Sequence, residues 1–266
     1  MGSASKFWLH YSLQSLRDSL DGNLSVYQGN PDEILLDLIE RFNVHEIYWN
    51  RAYEPWRIIR DKQIKESLSQ KGVNVYTYNA SLLWEPWNIK KADGTPYKVF
   101  TPFYRKGCLN AEKPRLPLSK PSKYLYIKDH DQIGIGNLHL ITNNNSYLNQ
   151  VWNIGETSAH EQFKKFIDTG LNNYKEGRNF PSQNCVSRLS PYLHFGEISP
   201  NQLWYSVREI DDDETNIDHF CSELGWREFS YSQLYYNHDL PYRNLQSKFD
   251  NFPWQNNTSY LEAWQQ

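Results

Sequence analysis

The sequence predicts an α/β domain built on a doubly wound parallel sheet, followed by an all-α domain. Three observations predict this. Over the first hundred residues, short β-prone runs alternate with stretches at helical spacing, the pattern of parallel strands joined by crossover helices. Residues 110–155 then lose that periodicity. From Ser158 onward the apolar spacing is helical and stays so.

The elements follow in order. Leu13, Leu16 and Leu20 lie at helical spacing and are closed by Asp21-Gly22. Leu24-Ser-Val-Tyr27 reads as a short strand ending before Gly29. Asn30-Pro31 then caps a helix whose inner side carries Ile34, Leu35, Leu38 and Ile39. Glu46-Ile-Tyr-Trp49 is the next strand. A helix from about Pro55 to Lys71 stops at Gly72, and Val73–Tyr78 returns as strand. Doubly wound domains normally begin with a central strand, whereas this chain opens on a helix and its one Met is residue 1. A first strand upstream is therefore expected, the alternative being a complete domain that starts with a helix.

Pro114, Pro117 and Pro121, then Gly134, Gly136 and Asn143–Asn145, mark an interdomain linker. The expected division is residues 1–109, a linker over 110–155, and a helical region over 156–266. In the helical region Phe163, Phe166, Ile167 and Leu171 form one stripe. Ser199-Pro200 starts a helix with Leu203, Trp204 and Val207 inward, and a third helix runs from about Ile217 to Tyr236. Asp211–Glu214 reads as a solvated acidic turn.

Composition narrows the function classes. Mean hydropathy is -0.78, and no run approaches the roughly 20 apolar residues of a membrane span. No signal-type segment opens the chain, so a cytoplasmic protein is expected. Cys108, Cys185 and Cys221 show neither metal nor disulfide spacing and read as buried packing; no metal site is expected. Ten Trp and 19 Tyr supply rings able to stack on bases or on a planar cofactor, or simply a bulky core. Net charge is -3, distributed as +4 over residues 1–155 and -7 over residues 156–266, so no global basic footprint marks a nucleic-acid partner.

Three segments carry chemistry. Tyr174-x3-Arg178-Asn-Phe-Pro181 falls at a helix end. In Ser187-Arg-Leu-Ser-Pro-Tyr-Leu-His-Phe-Gly-Glu-Ile-Ser199, hydroxyls precede a helix that Pro191 begins, either an ordinary N-cap or a site for an anion such as a pyrophosphate. In Glu223-Leu-Gly-Trp-Arg-Glu-Phe229, residues Glu223, Trp226, Arg227 and Ser230 share one helical face. A carboxylate, an indole and a guanidinium suit a pocket that stacks, accepts and pairs with phosphate; they equally suit a helix with Trp226 inward and its charges at the rim.

Together these segments resemble the DNA photolyase/cryptochrome family. Asn50-Arg-x-Tyr-x-Pro55, Leu83-x-Glu-Pro86 and Tyr97-Lys-Val-Phe-Thr-Pro-Phe103 extend the resemblance over nearly the whole chain. Among members it looks most like the bacterial class I cyclobutane-dimer photolyases, truncated at both ends. The resemblance implies FAD, a second antenna chromophore (folate or deazaflavin), damaged DNA containing pyrimidine dimers as partner, and a monomer. Tyr174, Val186, Ser187, Arg188, Leu189, Ser190, Phe220 and Arg227 would then meet the flavin. Arg178 would contact DNA, Glu223 and Trp226 would receive the flipped dimer, and Trp254 would end a tryptophan electron path. The family often has Thr where Val186 stands and Trp where Phe220 stands. A cryptochrome photoreceptor and a fragment that binds no flavin are the competing readings.

Overall fold

The computed structural model describes residues 1–141, 147–210 and 214–265. Helix α1 (Ser3–Ser19) buries Phe7 and Trp8 and ends where Asp21 and Gly22 turn to positive φ. Helix α2 (Pro31–Phe42) begins as its sequence dictates. The Asn30 side chain accepts the Asp32 N–H at 3.1 Å, Pro31 fills the first position, and Asn43 closes the helix in the left-handed conformation. Strand β1 (Glu46–Asn50), helix α3 (Pro55–Gln70) and strand β2 (Asn74–Tyr78) form one crossover unit. The strands are parallel, with Glu46 opposite Asn74 and Asn50 opposite Tyr78.

The two strands form the sheet of the described residues. One face carries Ile47, Trp49 and Val75, packed with Ile64, Leu68 and Val73 and with Leu35, Leu36 and Ile39 of α2. The other face carries Tyr48, Tyr76 and Tyr78, of which Tyr48 and Tyr76 stack at 4.9 Å. Leu24–Tyr27 is not a strand. It runs extended, but Val26 bonds to the segment read as linker: its carbonyl accepts the Ile133 N–H at 3.0 Å and its N–H donates to the Gln132 side chain. Its β propensity is real, but without a neighbouring strand there is no ladder to join.

Beyond β2, a helical turn α4 (Phe100–Pro102) widens into a π-turn over Phe103–Gly107. Helices α5 (Leu148–Val151), α6 (Glu156–Thr169), α7 (Tyr174–Gly177), α8 (Ser190–Phe195), α9 (Pro200–Arg208), α10 (Glu214–Tyr236) and α11 (Thr258–Gln265) complete the chain. Helix α9 starts with a full capping box between Ser199 and Gln202. Asn143–Asn145 and Asp211–Asp213 lie outside the described residues, and Glu214 opens α10.

One apolar cluster holds both halves together. Trp8 of α1 and Leu83, Trp84, Phe103 and Tyr104 of the middle segment pack with Phe163, Leu203, Phe220 and Leu224 of the helical region. Trp8 Nε1 donates to the buried Glu197 carboxylate at 2.9 Å, and Trp84 meets Trp204 edge-on at 5.2 Å. The predicted helical stripes face this cluster: Phe163, Phe166 and Leu171 are buried, as are Leu203, Trp204 and Val207. Cys108, Cys185 and Cys221 are free and buried.

Candidate functional site

A cavity of about 370 Å³ opens among α7, α8, α9, α10 and the loop before α8. That volume lies at the small end of the range for ligand pockets. Of the sequence candidates it gathers Tyr174, Ser187, Leu189, Ser190, Phe220, Glu223 and Arg227, and adds Leu193, His194, Leu203, Leu224 and Tyr231. A larger groove of about 1000 Å³, between α1 and residues 149–161, holds none of the candidates.

Helix α10 builds one wall because Glu223, Arg227 and Tyr231 recur every four residues along it. Phe220 stands one turn earlier. Its ring lies 5.5 Å from Tyr174 and 5.0 Å from Phe166, so the floor is aromatic. Burial pushes the Tyr174 hydroxyl up to about 12, keeping it protonated. Tyr174 is set by α7, whose last residue, Gly177, has to be glycine: a Cβ there would meet Cys185 Sγ at 2.4 Å. This close approach seats the 185–190 loop against α7.

Within that loop Leu189 is buried and Ser187 half-buried, and the Ser187 carbonyl accepts from Gln162 at 2.8 Å. Val186 and Arg188 do not line the cavity. Val186 is exposed, and Arg188, at φ 55°, turns its guanidinium over the Trp152 ring at 4.2 Å. The predicted N-cap also differs. Leu189 is the N-cap of α8, Ser190 is its first residue, and no side chain caps it. A six-residue helix is too short for its N-terminus to count as an anion site by itself, so the polar end of the cavity rests on the serine hydroxyls.

Two ion pairs order the charged wall. Arg178, the C-cap of α7, pairs with Glu223 and lies 5.5 Å over the Tyr174 ring; the Glu223 bond raises its pKa. Arg227 Nη1 donates to the Ser81 carbonyl at 2.5 Å and to Glu228 Oε1 at 3.2 Å, and its guanidinium sits 5.1 Å from the Tyr231 ring. Glu228 is the residue that reading the sequence for a site missed. It is fully buried, accepts the Trp84 N–H at 3.1 Å, and is pushed up to about 7 by burial. It belongs to the quoted Trp-Arg-Glu run, and only tertiary packing shows which of those charges is enclosed.

The single face expected for Glu223, Trp226, Arg227 and Ser230 divides. Positions 226 and 227 lie about 100° apart on a helix, on either side of 223. Glu223 and Arg227 line the cavity, whereas Trp226 does not: it stacks on Phe100 at 3.7 Å and 11° and remains 44% exposed. Trp254 is more exposed still and contacts Phe252 at 4.7 Å, away from the cavity lining.

The donor set fits a ligand with one planar heteroaromatic part and one anionic part. Tyr174 and Phe220 offer ring edges and faces, and Ser187, Ser190 and Arg227 offer hydrogen-bond donors. Among the described residues no group of three His, Cys, Asp or Glu could hold a metal ion, and no helix is long and apolar enough to cross a membrane.

Comparison with known proteins covers part of this site: Phe220, Glu223 and Arg227 fall inside a matched family region, whereas Tyr174, Ser187 and Ser190 fall between the two such regions. The family model for DNA photolyase matches residues 1–122, and that for the FAD binding domain of DNA photolyase matches residues 220–266. The chain belongs to the DNA photolyase/cryptochrome family. It is 33% identical to a deoxyribodipyrimidine photo-lyase of Agrobacterium fabrum, over 99% of this chain and 57% of that protein. It is 28% identical to Cryptochrome-1 of Arabidopsis thaliana, over 100% of this chain and 41% of that protein. The chain thus spans about half the length of these curated relatives. The crystal structure of a bacterial class III photolyase from Agrobacterium tumefaciens superposes with a TM-score of 0.88 at 32% identity, covering 99% of this chain and 56% of that one.

Proposed function

We propose that this chain carries the flavin- and lesion-facing part of an enzyme that repairs cyclobutane pyrimidine dimers in DNA by light. The observation that carries the reading is the cavity in which Tyr174, Phe220, Ser187, Ser190, Glu223 and Arg227 meet. When bound, FAD supplies the light absorption and the electron chemistry. The protein's part is to hold and shield. Phe220 and Tyr174 would hold the ring system, and Ser187 and Ser190 would donate toward phosphates. Arg227, tethered by Ser81 and Glu228, would supply a cationic donor to the bound flavin.

On the lesion side Glu223 accepts a hydrogen bond from a pyrimidine imide, Trp226 stacks on the extruded dimer, and Arg178 meets DNA phosphate. Trp254, at the surface, ends an electron path. Within the family, the likeness to the Agrobacterium class III enzyme favours class III over the class I assignment expected from sequence. A folate or deazaflavin antenna, a monomer in the cytoplasm, and the division at residues 109/110 and 155/156 complete the proposal.

The absorption spectrum of the purified chain tests the flavin. A repair assay on an oligonucleotide with one cyclobutane thymine dimer, under near-UV and blue light, tests the activity. Flavin without repair favours the second reading, a cryptochrome-type photoreceptor, which the likeness to the Arabidopsis protein supports. A colourless chain sinks both.

A further inference from the structure

Trp226 is exposed, yet it is not a free side chain. Phe100 lies against one face of the indole at 3.7 Å and 11°, and Tyr104 lies beneath Phe100 at 5.6 Å and 10°. Three rings therefore form a parallel column that runs from a fully buried residue, Tyr104, to a surface one. Phe229 braces the column from the side, its ring edge-on to Phe100 at 6.0 Å and to Trp226 at 5.8 Å. The base of the column is fixed by Gly225, where a Cβ would meet the Tyr104 ring at 2.5 Å. No ring of the described residues covers the outer face of Trp226.

The chain on either side of Phe100 is rich in positive charge. Between residues 90 and 128 the chain has ten Lys and Arg against two acids, Asp93 and Glu112. Lys98, Arg105 and Lys106, beside Phe100 in sequence, are exposed and enter no ion pair among the described residues. Arg105 lies over the Tyr104 ring at 5.7 Å. A column of rings that ends at the surface, with exposed cations near Phe100 in the chain, has the form of a stacking platform for a base.

We infer that Phe100 is a positioning residue: it holds the Trp226 indole so that its outer face takes a base released from the DNA stack. This rests on the repair reading and deepens it. An unsupported tryptophan on a helix surface samples several rotamers, and fixing one on binding costs affinity; a ring already stacked on its inner face removes that cost. Phe100 is not among the residues that line the cavity.

The test uses the full chain and an oligonucleotide with one cyclobutane thymine dimer, beside the same oligonucleotide undamaged. Phe100→Leu keeps an apolar side chain but removes the ring. Affinity for the dimer is expected to fall about tenfold. Affinity for undamaged DNA, flavin absorbance, and the repair rate at saturating DNA should stay within about twofold. Phe100→Tyr should restore affinity. Adding Trp226→Leu to Phe100→Leu should cost little more than Trp226→Leu alone, since the two residues act as a unit. Wild-type preference for dimer DNA that survives Phe100→Leu, or losses that add in the double variant, overturns the inference while leaving the repair reading standing. A wild-type chain with no preference for the dimer overturns both.

Discussion

In the structure the Glu223 carboxylate already has a partner, Arg178, the residue assigned to DNA phosphate. The pair is partly open to solvent, with side-chain exposures of 32% and 28%, so its own contribution to stability is small. Under the proposed repair reading, the pair would hold both groups at the cavity mouth until DNA divides them between imide and phosphate. Glu223→Gln should keep the flavin spectrum, because no ring contact is lost. Dimer affinity should drop roughly tenfold, the scale of a hydrogen bond to a charged group. Fluorescence anisotropy with dimer-containing DNA measures this, and an unchanged affinity refutes the role. Ser187 and Glu223 were legible in the sequence because motifs of polar residues beside Pro and Trp are poor core material. For Trp226 the contact with Phe100 was not legible, since helical spacing cannot tell which of two flanks a neighbour covers.

Short elements set the cavity's shape. Helix α7 is only four residues long, and its hold on the 185–190 loop is the contact of Gly177 with Cys185. Gly177→Ala should cost about 1–3 kcal/mol by overpacking, seen as a lower urea midpoint at unchanged slope. Adding Cys185→Ala should recover much of it, because the two sites share one clash.

On α10 the buried face carries Glu228 against Trp84. The folded-state pKa of Glu228 is raised to about 7 from an ordinary 4.5, so the folded chain binds a proton more tightly than the unfolded one. Its stabilising contribution is full below about pH 4.5 and is lost as pH rises through 7. Thermal unfolding from pH 5 to 8 should show that decline, and Glu228→Gln should flatten it; an equally steep decline in the variant refutes the assignment. Asn30 and Ser199 show the other side of this scale. Caps are local chemistry, so both helix starts could be read directly from the sequence. Leu24–Tyr27 could not, because strand formation needs a partner that a local run of residues does not name.

Across the whole molecule, the apolar cluster joins α1 to the helical region through Trp8, Trp152, Tyr192 and Glu197. Trp8 meets Tyr192 edge-on at 5.1 Å and donates to Glu197, whose carboxyl is raised by burial. Trp8→Phe keeps the ring packing but withdraws the donor from a buried carboxyl. It should destabilise by about 1–3 kcal/mol. The loss should appear in one unfolding transition recorded by both near- and far-UV circular dichroism. Two separated transitions would mean that the halves fold independently and that this contact matters little.

From the sequence alone came what depends on neighbours in the chain: the crossover unit of β1, α3 and β2, the helix starts at Asn30 and Ser199, the buried helical stripes, and the family resemblance carried by contiguous motifs. Tertiary structure decided what depends on residues far apart. It placed Tyr174, Ser187 and Glu223 around one cavity, turned Trp226 onto Phe100 across 126 positions of chain, and enclosed Glu228 rather than Glu223. The reason is physical. Propensity and periodicity act within about two turns of chain, whereas burial and the direction of a side chain are set by surfaces that only the folded chain brings together.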